Sequence, residues 1–89
     1  MDIGKPYIDL EVTDKYIIRE FNEDIDPIEL LWHRDDEDRL IEILEGTNWQ
    51  IQLENHLPSS MNKPIFISRH EWHRTIKGTG KLRIKIYKL

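Results

Sequence analysis

Cysteine is missing from the chain altogether, which excludes a disulfide framework and a thiolate metal site and makes a reducing cytoplasm the expected location. Nothing at the N-terminus has the charged-then-apolar pattern of a signal sequence. No apolar run approaches the roughly 20 residues that cross a bilayer as a helix, so no membrane partner is expected. Glycine and proline are scarce, four of each, and they punctuate the chain at segment ends. Internal repeats and low-complexity tracts are absent as well. Residues 1–89 therefore read as a single domain, near the lower limit for a chain that folds on an apolar core alone.

Basic residues are few in the first part of the chain. Residues 1 to 55 hold 16 acids and 5 Lys/Arg, whereas residues 56 to 89 hold 1 acid and 8 Lys/Arg. The formal net charge of −4 thus conceals −11 set against +7. One reading is that acidic and basic strands pair across a sheet. The other is a one-sided basic surface, drawn from Arg69, Arg74, Lys77, Lys81, Arg83, Lys85 and Lys88, that holds an anion. Nucleic acid is the weaker partner, since phosphate tracking wants a basic face and the whole chain is acidic.

What the chain does have is alternation. Ile8, Leu10 and Val12 alternate with Asp9 and Glu11 in Tyr7 to Val12, and YIIREF, Tyr16 to Phe21, follows a short turn. Asn22 to Pro27 is an acidic loop whose proline pushes Asp26 away from helical geometry. Ile28 to Leu31 leads into a central strand that stops at Gly46. Residues 35 to 45 also admit a helix, because DDEDRLIEILE combines helix formers with acids at a first turn. The strand is favoured by the turn cluster Glu45 to Asn48 and the alternating WQIQLE after it, and the two runs read as a hairpin. A turn-rich stretch from Asn55 to Lys63, a strand around Ile65 and Ile67, a tight turn in KGTG and a last strand from Lys81 complete the chain. Alternation in five segments predicts an all-β antiparallel barrel or two-sheet sandwich with little or no helix.

The chemistry is densest in LWHRDDEDRLIEILEG, Leu31 to Gly46. His33 and Asp35, two apart on one strand face, can enter the same cavity. His73 arrives later in RHEWHR, and two histidines with one carboxylate make a metal-binding face. Arg39 shares the parity of His33 and Asp35. Its guanidinium repels a metal cation and suits an anion; alternatively it pairs with Asp35 in a polar network that replaces the metal. Gln50 and Gln52, if they line the barrel, would orient a small polar ligand. His70 lies three residues before His73 and so faces the other way, and His56 is expected in solvent. Trp32, Trp49 and Trp72 are read as core or dimer-interface residues, Trp49 as core. Asp36, Glu37 and Asp38 form a solvated loop without the glycine and terminal glutamate of a calcium loop.

In this order of strand, GTN turn, strand, proline-containing loop, ISRHEWHR and GTG turn, the chain resembles a minimal single-domain cupin. The first cupin motif runs glycine, five residues, His-x-His, three or four residues, Glu, six residues, Gly; the second runs glycine, five residues, Pro-x-Gly, two residues, His, three residues, Asn. His33 matches the first histidine, Gly46 the closing glycine of the first motif, and His73 the histidine of the second. The stretch Thr47 to Met61 fits the spacer between them, and the resemblance covers Pro27 to Lys77. The motif is degenerate. Asp35 stands for the second histidine and Arg39 for the glutamate, while Pro27, Asn62, Ser68, His70 and Lys77 replace the remaining positions. The resemblance implies a cupin-like double-stranded β-helix, an antiparallel barrel or jelly roll. It also implies a site where His33, Asp35 and His73 hold Fe, Mn, Ni or Zn.

Two functions follow as expectations. The first is a small metal-binding cupin whose Arg39 fixes an anionic group, although so short a chain has no lid to exclude water from a reaction. The second is a non-catalytic, metal-free binder of a small anionic or nucleotide-like molecule, similar to accessory proteins of tailed phages. A homodimer paired through Tyr7 to Val12 is expected in either case, because three tryptophans and open sheet edges favour burial between copies.

Overall fold

The computed structural model describes residues 6 to 89, so Gly4 of the opening stretch lies outside the described residues. Eight strands run β1 (Tyr7–Val12), β2 (Tyr16–Phe21), β3 (Arg39–Thr47), β4 (Gln50–Leu53), β5 (Ser59–Ser60), β6 (Ile65–Ile67), β7 (His73–Ile76) and β8 (Thr79–Lys88). The described residues contain no α-helix, and Pro27–Glu29 makes a single 3₁₀ turn. No helix is long and apolar enough to cross a membrane. The strands form two antiparallel sheets, β1-β2-β8-β3-β6 and β5-β4-β7, as the alternation predicted.

The core is the set of side chains that these sheets turn toward each other. On β8 the inward residues are Leu82, Ile84 and Ile86, all buried, and they meet Ile17 and Phe21 of β2 and Ile41 of β3. From the smaller sheet come Ile51 and the strand-flanking Trp49, the latter only 2% exposed. Trp49 is core, as its alternation predicted. At about 25 cal/mol per Å² of apolar surface, burying a side chain of this size is worth a few kcal/mol. The opposed acids and bases also meet across the sheet: Glu20 faces Arg83 and Glu42 faces Lys85 in register, with Arg83 to Glu20 at 2.8 Å.

Three expectations are corrected. First, β3 and β4 are not a hairpin, because β3 pairs with β6 and β8 while β4 pairs with β5 and β7. The turn at Asn48, in the left-handed region with φ 44°, carries the chain from one sheet to the other. Alternation gives each strand's two faces and is silent on its neighbours. Second, the regular part of the central strand starts at Arg39, not at Leu31. Residues 31 to 38 are irregular apart from one bridge, held by hydrogen bonds from the amides of His70 and Arg69 to the Asp35 carbonyl and the Asp38 carboxylate. Third, β8 begins at Thr79. The turn after β7 is tighter than KGTG suggested, and Gly80 supplies the positive φ, 69°.

That tight turn is packed onto the sheet-switching one. The Asn48 carboxamide oxygen accepts from the Thr79 amide and hydroxyl, each at 2.8 Å, and the Trp49 indole donates to the Gly80 carbonyl at 3.2 Å. Gly78 lies between them so closely that a Cβ would collide with the backbone of Thr47 and Trp49. Backbone gives way far less readily than a side chain. Gly78→Ala should therefore destabilise the fold by about 1–3 kcal/mol, read as a lower urea midpoint. Gly46→Ala, whose nearest contact is the flexible end of Leu82, should cost less.

Candidate functional site

The irregular stretch before β3 is tied to β7 by a two-residue bridge. The His33 amide donates to the His73 carbonyl and the His73 amide to the His33 carbonyl, both at 2.9 Å. Residues paired in this way send their side chains to the same side of the ladder. The two imidazoles accordingly sit edge to face with centroids 4.2 Å apart. His73 is 4% exposed, whereas His33 stands at the rim and meets solvent.

Each ring is oriented by its own chain. His33 Nδ1 lies 3.1 Å from the Leu31 carbonyl and His73 Nδ1 lies 2.8 Å from the Glu71 carbonyl. A carbonyl can only accept, so both Nδ1 atoms carry a proton, and in the neutral ring the Nε2 lone pair is then free. Asp35 completes the group. One ligand atom from each of His33, Asp35 and His73 lies within 4.8 Å of the others.

Asp35 Oδ2 and His73 Nε2 are 3.3 Å apart, yet Oδ2 is buried with no hydrogen-bond partner among the described residues. Were His73 protonated at Nδ1 only, these would be two lone-pair atoms facing each other. A proton or a cation is required between them. Arg39 approaches from the other side, its guanidinium 3.3 Å from Asp35 and 3.4 Å from Glu37, and its buried Nε has no hydrogen-bond partner. Burial is the largest influence on Asp35 and opposes its ionisation, but a proton on His73 Nε2 donated to the carboxylate and the positive charge of Arg39 outweigh it. The carboxyl lies below its ordinary value. Burial lowers His33, helped by His73 and Arg39 and opposed by the Leu31 carbonyl and Asp35, so the neutral ligand form is favoured.

The group opens into a cavity of about 380 Å³ inside the barrel, lined on its apolar side by Leu30, Ile41, Ile51, Met61, Ile84 and Ile86. His33, Asp35, Arg39 and His73 all line it. Gln50 and Gln52 do not. Ile51 takes the inward position on β4, and a period of two leaves both glutamines on the outer face. Gln52 is engaged there by Arg74 at 3.0 Å and by the His56 carbonyl at 2.9 Å. His70 and His56 are exposed. Trp32 and Trp72 are also exposed, each beside a guanidinium, Arg74 and Arg34 respectively. Sequence reasoning passed over Arg19, which lines the cavity from β2. The signal was present in YIIREF, where a charge shares parity with Ile17 and Phe21.

No protein-family model matches the sequence, and no curated protein matches it. Solved structures do match. The Fe(II) form of HppE superposes with a TM-score of 0.63 at 16% identity over 83% of this chain and 41% of that one. An RmlC-like cupin family protein with a double-stranded β-helix fold from Methanocaldococcus jannaschii gives 0.65 at 13% identity, covering 92% of this chain and 76% of that one. KdgF from Halomonas sp. gives 0.65 at 14% identity over 99% and 84%. The chain thus spans less than half the length of HppE. Its fold is the cupin double-stranded β-helix, the fold that the resemblance implied.

The lowered His33 value fixes a sign. Between the folded-state value and the ordinary value near 6.5, the unfolded chain holds the extra proton, so stability falls as pH drops through that window. Asp35, also lowered, adds a second loss in the acid range below the usual carboxylate value of about 4. In a chelator, the parent's urea midpoint should fall between pH 7.5 and 5.5, and His33→Gln should flatten that limb. An unchanged slope in the variant would assign the pH dependence elsewhere.

Proposed function

We propose that this protein binds a divalent metal ion through His33 Nε2, the Asp35 carboxylate and His73 Nε2, and a small anionic molecule in the cavity beside it. One observation carries the reading: both Nδ1 protons are committed to backbone carbonyls, which leaves two free lone pairs and an unpartnered carboxylate oxygen converging on one point. A nitrogen–oxygen donor set of this kind suits Fe, Mn, Ni or Zn. The HppE structure in its Fe(II) form is a fold relative for which such an ion is recorded. When bound, the ion would supply Lewis acidity toward a ligand oxygen.

The chain's own residues do the rest. The Leu31 and Glu71 carbonyls hold the rings in the ligating tautomer. Arg39 keeps Asp35 ionised, and its unpartnered Nε is a donor for an anion. The apolar wall excludes water from the ligand's body. A metal-free reading is favoured by a different observation, the contacts of Arg39 with Asp35 and Glu37. In that case a proton on His73 Nε2 fills the gap, and the cavity binds and sequesters a small anion without turnover.

Metal analysis separates the two. Purified without a histidine tag, the parent should carry one ion per chain. His33→Ala with His73→Ala should lose it, with a fall beyond the roughly 10- to 100-fold that removing an outer partner costs and an unchanged circular dichroism spectrum. A parent that takes up no ion from any of the four metals points to the metal-free binder.

The proposed assembly is a homodimer. β1 is an edge strand that turns Tyr7 and Asp9 inward and leaves Ile8, Leu10 and Val12 exposed. Its unpaired backbone edge and outward apolar side chains favour pairing with a second copy. Light scattering at micromolar protein should give twice the 10.8 kDa chain mass, and Ile8→Lys with Val12→Lys should return it to one chain.

A further inference from the structure

The inward face of β2 carries a charge where its alternation calls for hydrocarbon. Ile17 and Phe21 on that face are buried, and Arg19 stands between them with its side chain 13% exposed. It lines the same cavity as His33, Asp35, Arg39 and His73. Two neighbours hold it still: Asp9 accepts from Nε at 2.7 Å and from Nη2 at 3.4 Å, and the Tyr7 ring lies 3.7 Å from the guanidinium carbon. This side-on pairing leaves both Nη1 protons without a protein acceptor among the described residues. A pair drawn partly out of water, as this one is, is often no more stabilising than hydrocarbon of the same size. Its presence on an inner face therefore needs a reason other than folding.

We infer that Arg19 anchors the carboxylate of a small organic acid whose hydrocarbon part lies along Ile41, Ile51, Ile84 and Ile86. Charge selects the class. With a divalent ion on the histidines and Asp35, that ion and two guanidiniums face three carboxylates, those of Asp9, Asp35 and Glu37. One positive charge remains, and a monocarboxylate cancels it. Shape agrees, since about 380 Å³ is near the lower end for a small-molecule pocket and is walled mainly by aliphatic side chains. Arg19 is also fixed in advance by Asp9 and Tyr7, so little side-chain freedom is lost on capture. The inference rests on the metal-and-anion reading of this cavity and names its anion.

The test is a titration of the full chain with hexanoate, and with hexanamide as the neutral isostere, followed by amide shifts in NMR on zinc-loaded and metal-free protein. Hexanoate should move the amides of Thr75 and Ile84 and bind at least tenfold more tightly than hexanamide. Arg19→Met should weaken hexanoate at least tenfold while zinc affinity stays within twofold. Asp9→Asn, which keeps the Oδ1 acceptor that positions Nε and removes the competing negative charge, should strengthen it. The inference is overturned if the parent binds neither compound or both equally, or if Arg19→Met keeps the parent's affinity. Should Arg19→Met fail to fold, Asp9→Asn decides, and an affinity no higher than the parent's overturns the inference. Zinc titration separates the two readings: hexanoate binding that depends on Arg19 without zinc uptake removes the metal, and zinc uptake without that dependence removes Arg19.

Discussion

Strand β8 is the constraint on which the rest of the molecule depends. It is paired on both sides, to β2 and to β3, so every residue along it has a fixed face. Leu82, Ile84 and Ile86 look inward and are buried; Arg83, Lys85 and Tyr87 look outward. Its central place also explains why the chain tolerates so uneven a distribution of charge. The basic C-terminal strand is inserted between the acidic strands from the first part, Glu20 on one side and Glu42 on the other, and Lys85 is shared between the rings of Tyr16 and Tyr87. Along this strand the basic residues Arg83 and Lys85 are spent on the outer face of the sheet, each opposite an acid.

The inner faces were legible to the extent that parity alone fixes them. Ile17 and Phe21, Ile41, Ile51 and the β8 isoleucines follow from alternation, as do the outward Lys85 and Glu42. Neighbourhood is a different kind of information. Nothing local to Gly46-Thr47-Asn48 distinguishes a hairpin from a change of sheet, because both need a left-handed residue and a tight turn. The outcome is decided by the packing of Gly78 and Thr79 against Asn48, about thirty residues away. The same limit governed Gln50 and Gln52. Trp49 and Ile51 are the better core residues, and a strand cannot bury both of its faces in a barrel this small.

The site was legible in its composition and only partly in its geometry. His33 and Asp35 were grouped by strand parity, yet they converge on a stretch that is not a regular strand. The single bridge from His33 to His73 replaces a ladder, and the turn-forming acids that interrupt the strand also supply the carboxylate. His73 could be placed opposite them only through the cupin resemblance, since no sequence pattern links residues so far apart. The Nδ1 contacts with the Leu31 and Glu71 carbonyls were out of reach of the sequence, and they decide what the histidines can do.

Electrostatics then narrows the chemistry of the cavity. A neutral His33, an ionised aspartate and a guanidinium are mutually consistent: burial keeps His33 unprotonated, while the contact with His73 and the charge of Arg39 hold Asp35 in its charged form. A cation placed among these donors would gain two lone pairs and a carboxylate, against repulsion chiefly from Arg39, which contacts Asp35 directly. That repulsion falls away when an anion sits between the ion and the guanidinium. Arg39, which departs from the cupin motif, would therefore oppose an ion held by itself and favour an ion with an anionic companion. The charge that looks least suited to a metal site would make binding of the proposed ion and binding of the proposed anion mutually supporting, each relieving a cost that the other would face alone.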